Sequence, residues 1–307
     1  MLQVSILILL VFLAARLALW AAQTVQNRRG SGKGFRRMLS EGRIGSEVYD
    51  DAVWREVDRF GRRRLKVRIS KRHRDKIRAA RRVLREDFLD DIRPGFYQYV
   101  IIFLIASVLG LAIETVWMLV QFGVFESRVG LVWGPFSPLY GVGAVLLTVV
   151  FWPLRKKPAY VIFPLAMLIG GGLEQLAGWS MEYFVGVQSW TYLNLPDHIT
   201  QWVAWRFVFA WGLIGLVWCK AIMPELIFRI GEVTTTRQMA IVWALTAFMA
   251  LDVFMTFACF MRADARRAGV PPSNPFEVYV DAHYDDDFIK GTFQNLTWSD
   301  EGPKEYA

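Results

Sequence analysis

Cysteine is nearly absent from this 307-residue chain: there are two, Cys219 and Cys259, and both sit inside apolar runs. A thiol in that setting behaves as a small hydrophobe, so the sequence offers neither a disulfide framework nor a cysteine-based metal site. Histidine is as scarce, with three residues, and none of them lies in an apolar run. The glycine-bearing stretch Arg28–Gly34 lacks both the spacing and the Lys-Ser/Thr ending of a phosphate-binding loop, so it is not read as a nucleotide site. No nucleophile motif of a known hydrolase is visible, no cofactor is expected, and no nucleic-acid partner is expected. His283 stands among Asp281, Asp285, Asp286 and Asp287, but one imidazole with irregularly spaced carboxylates is a poor metal set, and the reading there is a solvated acidic tail.

Apolar sequence, in contrast, is abundant. Hydrophobic residues make up 54% of the chain, with 13 Trp and 22 Phe, and several runs approach the roughly 20 residues that cross a bilayer. The expected fold class is therefore all-α: a polytopic membrane protein of about six transmembrane helices. The expected spans are Leu2 to Val25, Phe96 to Gln121, Leu139 to Pro153, Ala159 to Val185, Trp202 to Met223 and Met239 to Met261. Pro224 is expected to close the fifth. The organisation read from this is an N-terminal anchor at 1–27, a basic helical cytoplasmic segment at 28–95, a membrane domain at 96–261 and a polar tail at 262–307.

Charge sets the expected orientation. The net +8 is uneven, since 22 of 36 Lys and Arg lie between Arg28 and Arg93. The positive-inside rule makes that segment cytoplasmic, together with Arg155-Lys-Lys157, Arg229 and Arg237, whereas residues 186–201 carry no Lys or Arg and read as external. The localisation that follows is multi-pass in the inner membrane of a bacterium. Within the basic segment, residues 62–85 read as a solvated helix whose cations suit anionic lipid headgroups. Arg262, Arg266 and Arg267 run against this scheme, because six spans from an external N-terminus leave them outside.

Two features point to a polar site within the membrane. Trp133-Gly-Pro-Phe-Ser-Pro-Leu-Tyr-Gly141 breaks the helical pattern with two prolines and two glycines between apolar runs. Non-helical backbone at membrane depth is tolerated where protein buries it or where it lines a wet cavity, so the stretch reads either as a re-entrant loop at a site or as a tight connection. The second feature is ionisable residues inside the spans, each costing from about 2.5 kcal/mol at the bilayer centre. At 1.5 Å per residue, Glu114 lies about 10 Å, Glu174 about 16 Å, Asp252 about 12 Å and Arg206 about 6 Å from the outer end of its span. Ala106, Gly110 and Glu114 share a helix face, and Gly170 and Gly178 flank Glu174, so both acids lie on surfaces that admit a close neighbour. The expected site has Glu114 and Glu174 under the loop, Tyr140 hydrogen-bonded to one of them, and Glu182 or Glu174 paired with Arg206. The structural alternative is that these charges fix helix register.

Motifs in a fixed order extend the reading. They are Ile113-Glu114, the run Gly134-Pro135-Phe-Ser137-Pro138-Leu-Tyr140-Gly141, Leu173-Glu174 with Glu182, Trp190-Thr-Tyr192 with Asn194, and Trp205-Arg206 with Trp211-Gly212 before Pro224. The region from about Val100 to Leu226 resembles the bacterial type IV ABC-transporter permease family, departing from it at Thr191, where the family usually has Asp. The resemblance implies a membrane-transport context and a separate ATPase subunit. Together with the buried charges, these motifs make Glu114, Gly134, Pro135, Ser137, Pro138, Tyr140, Glu174, Glu182, Trp190, Tyr192, Asn194 and Arg206 candidates for substrate binding or proton relay, and the charge in the last span, outside the resemblance, adds Asp252. A membrane-embedded enzyme acting on a lipid-linked substrate, and a membrane sensor or scaffold, stay open beside it.

Overall fold

The computed structural model describes residues 39–42, 45 and 71–298. The first apolar run, the linker at 28–34, the helical pattern at Val53, Val57 and Phe60, and the last nine residues lie outside the described residues. The chain divides at residues 93 and 94 into two units. In the first, helix α1 (Lys71–Asp91) buries Ile77, Ala80, Leu84 and Leu89 and leaves Lys76, Arg78 and Arg82 exposed. Ile77, Ala80 and Leu84 follow a three-and-four spacing, with charge on the remaining faces.

The second unit is built on α2 (Phe96–Phe122), α3 (Pro138–Phe151), α4 (Ala159–Ser180), α5 (Trp205–Val217), α6 (Met223–Ile230) and α7 (Thr236–Arg267). Two continuations lengthen it: α4 runs on through a wide π turn at Met181–Val185, and α5 joins α6 through another at Trp218–Ile222. Among the described residues, four helical segments are long and apolar enough to cross a membrane: Phe96–Phe122, Ala159–Val185, Trp205–Ile230 and Thr236–Arg267. Large apolar side chains such as Val120 (70% exposed) and Leu168 (73%) stand on their outer faces with no protein over them, as lipid-facing surface does. The unit is thus an all-α membrane-protein fold. The third expected span, α3, is shorter than the other four, at 14 residues or about 21 Å.

Pro224 does not close the fifth span. The π turn before it widens the backbone, and the proline falls in the first turn of α6, where a missing N–H costs little. Gly231, at positive φ, ends the helix instead.

Small residues set the helix pairing. A Cβ on Gly110 would overlap the Tyr140 ring, and one on Gly141 would overlap Ser107 and meet Phe103, so α2 and α3 run antiparallel in close contact. Gly170 receives Trp211, Gly178 receives Trp202 and Gly215 receives Ala166, which fixes α4 against α5 in the same sense. The glycine groove around Glu174 is therefore filled by Trp211 of α5 and by Trp202 just before that helix. Hydrogen bonds from Gln98 Nε2 to the Gly231 carbonyl (2.8 Å) and from Trp218 Nε1 to Thr148 Oγ1 (3.0 Å) tie the pairs together.

Successive helices reverse direction, so residues 152–158 and 231–235 share one end of the unit. Residues 123–137, 186–204 and 268–298 share the other. At that second end the tail is folded. Helices α8 (Pro275–His283) and α9 (Asp286–Thr292) pack on α7, and β2 (Thr297–Trp298) pairs antiparallel with β1 (Val187–Gln188). Asp281 takes Arg262 (2.6 Å) and Arg266 (2.5 Å), Asp286 takes Arg266 (2.7 Å), and Arg267 lies over the Trp298 ring. These arginines hold the Asp281 carboxyl below its usual range. The expectation of a solvated acidic tail is corrected here, and two of the arginines that strained the orientation, Arg262 and Arg266, are neutralised by acids 15 to 20 residues downstream.

Candidate functional site

Short backbone bonds, from Gly130 N to the Phe136 carbonyl (2.8 Å) and from Phe136 N to the Gly134 carbonyl (2.9 Å), fold the Gly-Pro stretch on itself. Gly134 sits at φ 103°, where a side chain is strained, and a Cβ there would meet the Phe136 ring at 2.8 Å. The loop is then held from both sides. Ser137 N donates to the Ser107 carbonyl on α2 (3.3 Å), Val132 N to Thr256 Oγ1 (3.0 Å) and Trp133 N to Asp252 Oδ1 (2.9 Å) on α7. Asp252 lies 15 residues before the end of α7, or about 22 Å, because the helix runs on to Arg267 rather than ending at Met261. Ser107 lies equally far from the end of α2. The loop thus descends between the two helices, and α3 starts where it stops. Asp252, fully buried, is the acceptor that keeps the loop down, and its Oδ2 has no partner among the described residues.

Two turns nearer that end of α2, beside the descending loop, Glu114 accepts from Tyr140 OH at Oε2 (2.8 Å) and from Arg128 Nε at Oε1 (2.6 Å). The Tyr140 bond is the one expected from the sequence. Arg128 also binds Glu126 Oε1 (2.6 Å), and both side chains are about nine-tenths covered. Gly110 makes room for the Tyr140 ring against α2, so the placement of the phenol follows from a missing Cβ one turn before the acid in that helix.

Glu174 faces this group from α4. It is 9% exposed, and its Oε2 has no hydrogen-bond partner among the described residues. Its neighbours are the Trp211 indole and the Tyr192 phenol. Tyr192 descends from the 186–204 connection and stacks on Phe207 (4.5 Å), and it feels the carboxylates of both Glu174 and Glu114. Burial first, and then those carboxylates, push the Tyr192 phenol well above its usual range. The described residues contain no group of three His, Cys, Asp or Glu placed to hold a metal ion.

The other candidates lie apart from this cluster. Arg206 does not pair with Glu174 or Glu182: Asp197 takes it, through backbone N (3.0 Å), Nε (2.8 Å) and Nη2 (2.6 Å), because the 186–204 connection folds back onto the first turn of α5. Those bonds keep the Asp197 carboxyl below its usual range. Glu182 accepts from Gln201 Nε2 (2.8 Å), and Trp190 Nε1 donates to the Trp202 carbonyl (3.2 Å). Asn194, Gly134 and Pro135 are exposed, Ser137 is buried ahead of α3, and Pro138 occupies the first turn of that helix.

The sequence reading missed Arg128, Glu126, Asp197 and the role of Trp211. The available signal was a lone Glu-Ser-Arg triplet at 126–128 between apolar runs, and a glycine groove wide enough for an indole.

No curated protein and no solved structure matches this chain. One family does, over residues 101–257, which is 157 of the 307 residues. The match runs on through most of α7 and takes in Asp252, whereas the motifs alone reached only Leu226. With half of its length covered, the chain belongs to the family described as Putative ABC-transporter type IV.

Proposed function

We propose that this protein is the permease-like subunit of a transporter, with a polar intramembrane site at Glu114 and Glu174 and the 130–137 loop as its re-entrant cover. The observation that carries the reading is the convergence at Tyr192. Two acids from different helices lie within electrostatic reach of one phenol, and the deeper acid keeps an oxygen without a partner. A purely structural charge would have its lone pairs satisfied, as Glu114 has. The depth of the loop supports its re-entrant role, since it runs past the level of both acids. It makes up the length that α3 lacks beside α2, and contacts to Ser107, Asp252 and Thr256 replace the bonds that water would supply.

In this reading the end that carries Arg155-Lys156-Lys157 faces the cytoplasm, where Lys220 Nζ also caps the carbonyls of Arg155 and Lys157. The loop and the folded tail face outward. A cysteine placed at the exposed Ser273 is expected to react with an impermeant maleimide in intact cells; protection there with reaction after lysis reverses the orientation.

The chain has no phosphate-binding loop, so energy from ATP requires a second subunit. Gentle solubilisation from native membranes should retain an ATP-hydrolysing partner, identified by mass spectrometry. Recovery of the chain alone with an activity that modifies lipid would overturn the permease role in favour of an enzyme.

A further inference from the structure

We infer that α8 is an interfacial helix, with its outward face lying in the headgroup and acyl boundary of the lipid leaflet at that end of the unit rather than in water. The inference goes beyond the permease reading and stands without it.

The helix carries its charge inward. Glu277 and Asp281 turn to α7, where Arg262 takes both (3.5 and 2.6 Å) and Arg266 takes Asp281. Val280 and Tyr284 share that side and are buried in one core with Val132. At 100° per residue these four positions span an arc of about 100°. The remaining six, Pro275, Phe276, Val278, Tyr279, Ala282 and His283, fall within about 160° on the other side. All six are exposed, and none is Asp, Glu, Lys or Arg. A helix lying in water turns its charge out and its apolar side in, and α8 does the reverse.

The neighbouring surface says what covers this face. Phe276 stacks on Phe254 of α7 (5.7 Å). Phe254 lies 13 residues, or about 20 Å, before the end of that helix, in the apolar stretch ahead of Arg262. Leu251, Phe257 and Met261 are exposed beside it, on a helix long and apolar enough to cross a membrane. The outward face of α8 therefore continues the lipid-facing surface of α7 without a polar break. Aromatic side chains are the ones that favour the headgroup level, and an apolar helix face is the form that lies there. The family match ends at residue 257, so this contact belongs to chain outside it. It reaches the site through the opposite side of the helix: Tyr284 OH accepts from Trp133 Nε1 (3.0 Å), so a helix seated in lipid also braces the 130–137 loop.

The test places a nitroxide on the full chain in nanodiscs, at Val278→Cys, at Ala282→Cys and, as the water-side reference, at Asp287→Cys on exposed α9. The wild-type chain is the labelling blank, because Cys219 and Cys259 are buried. Power saturation compares oxygen, which concentrates in lipid, with nickel ethylenediamine-diacetate, which stays in water. Labels at 278 and 282 should be relaxed severalfold more by oxygen than by nickel, and the label at 287 more by nickel. In the same nanodiscs Val278→Asp should lower the melting temperature by several degrees while Val278→Leu leaves it level, whereas a water-facing position tolerates both. Nickel-dominated labels at 278 and 282 in chains that melt cooperatively overturn the inference, as does a melting temperature indifferent to Val278→Asp. Labels shielded from both reagents and broadened by a second nitroxide also overturn it, by placing another copy of the chain on this face.

Discussion

Replacing Glu174 by Gln should abolish the function that the wild-type gene restores to a deletion strain, while leaving the protein inserted and at normal abundance. Gln keeps the volume and one carbonyl oxygen, so the glycine groove, Trp211 and Trp202 need not move. It removes the charge and turns one acceptor oxygen into an amide donor. Because Glu174 is buried with one oxygen unbonded, the substitution relieves a desolvation cost, and stability should stay level or rise by about 1–3 kcal/mol. The opposite movement of stability and activity separates a functional acid from a structural one. Membrane abundance by immunoblot and a melting curve in detergent provide the first quantity, and complementation the second. A fall in both would mean that Glu174 holds the helices together and that the site lies elsewhere.

How much of this could be read in the sequence depended on whether the partners were close in the chain. The four long spans were legible because apolar length is a local property, whereas the third expected run forms only the short α3 and the first lies outside the described residues. The Tyr140–Glu114 bond was legible because a short loop joins their helices and small residues mark the facing surfaces. The Arg206 partner was misassigned. Helical depth placed Glu174 and Glu182 near it, while the fold of the 186–204 connection, which no periodicity encodes, delivers Asp197 to it instead. The tail was misjudged for the same reason. Asp281 and Asp286 look like solvated charge until α8 folds back on α7 and sets them beside Arg262 and Arg266. Pro224 misled in a different way: a proline is a stop signal only if the turn before it is an ordinary α turn, and here it is a π turn.

Truncating Arg128 to Ala should destabilise the fold more than any other single change in the site. Arg128 bridges an acid on α2 to one in the loop, and removal takes the guanidinium from between Glu114 and Glu126 and leaves two like charges facing each other. Breaking a buried ion pair from one side costs about 3–5 kcal/mol, because the remaining charge is left uncompensated. Tyr140 still donates to Glu114, so α3 should keep its place against α2, and the damage should fall first on the loop between Gly123 and Gly130. A second substitution tests the cause. Glu114→Gln in the Arg128→Ala background removes one of the two stranded charges and should recover about half of the lost stability, although Glu114→Gln alone costs stability in the wild type. That reversal of sign, read from the melting temperatures of the four proteins in one detergent, is what coupling through charge requires. If Glu114→Gln lowers the melting temperature equally in both backgrounds, Arg128 acts on the loop by packing alone.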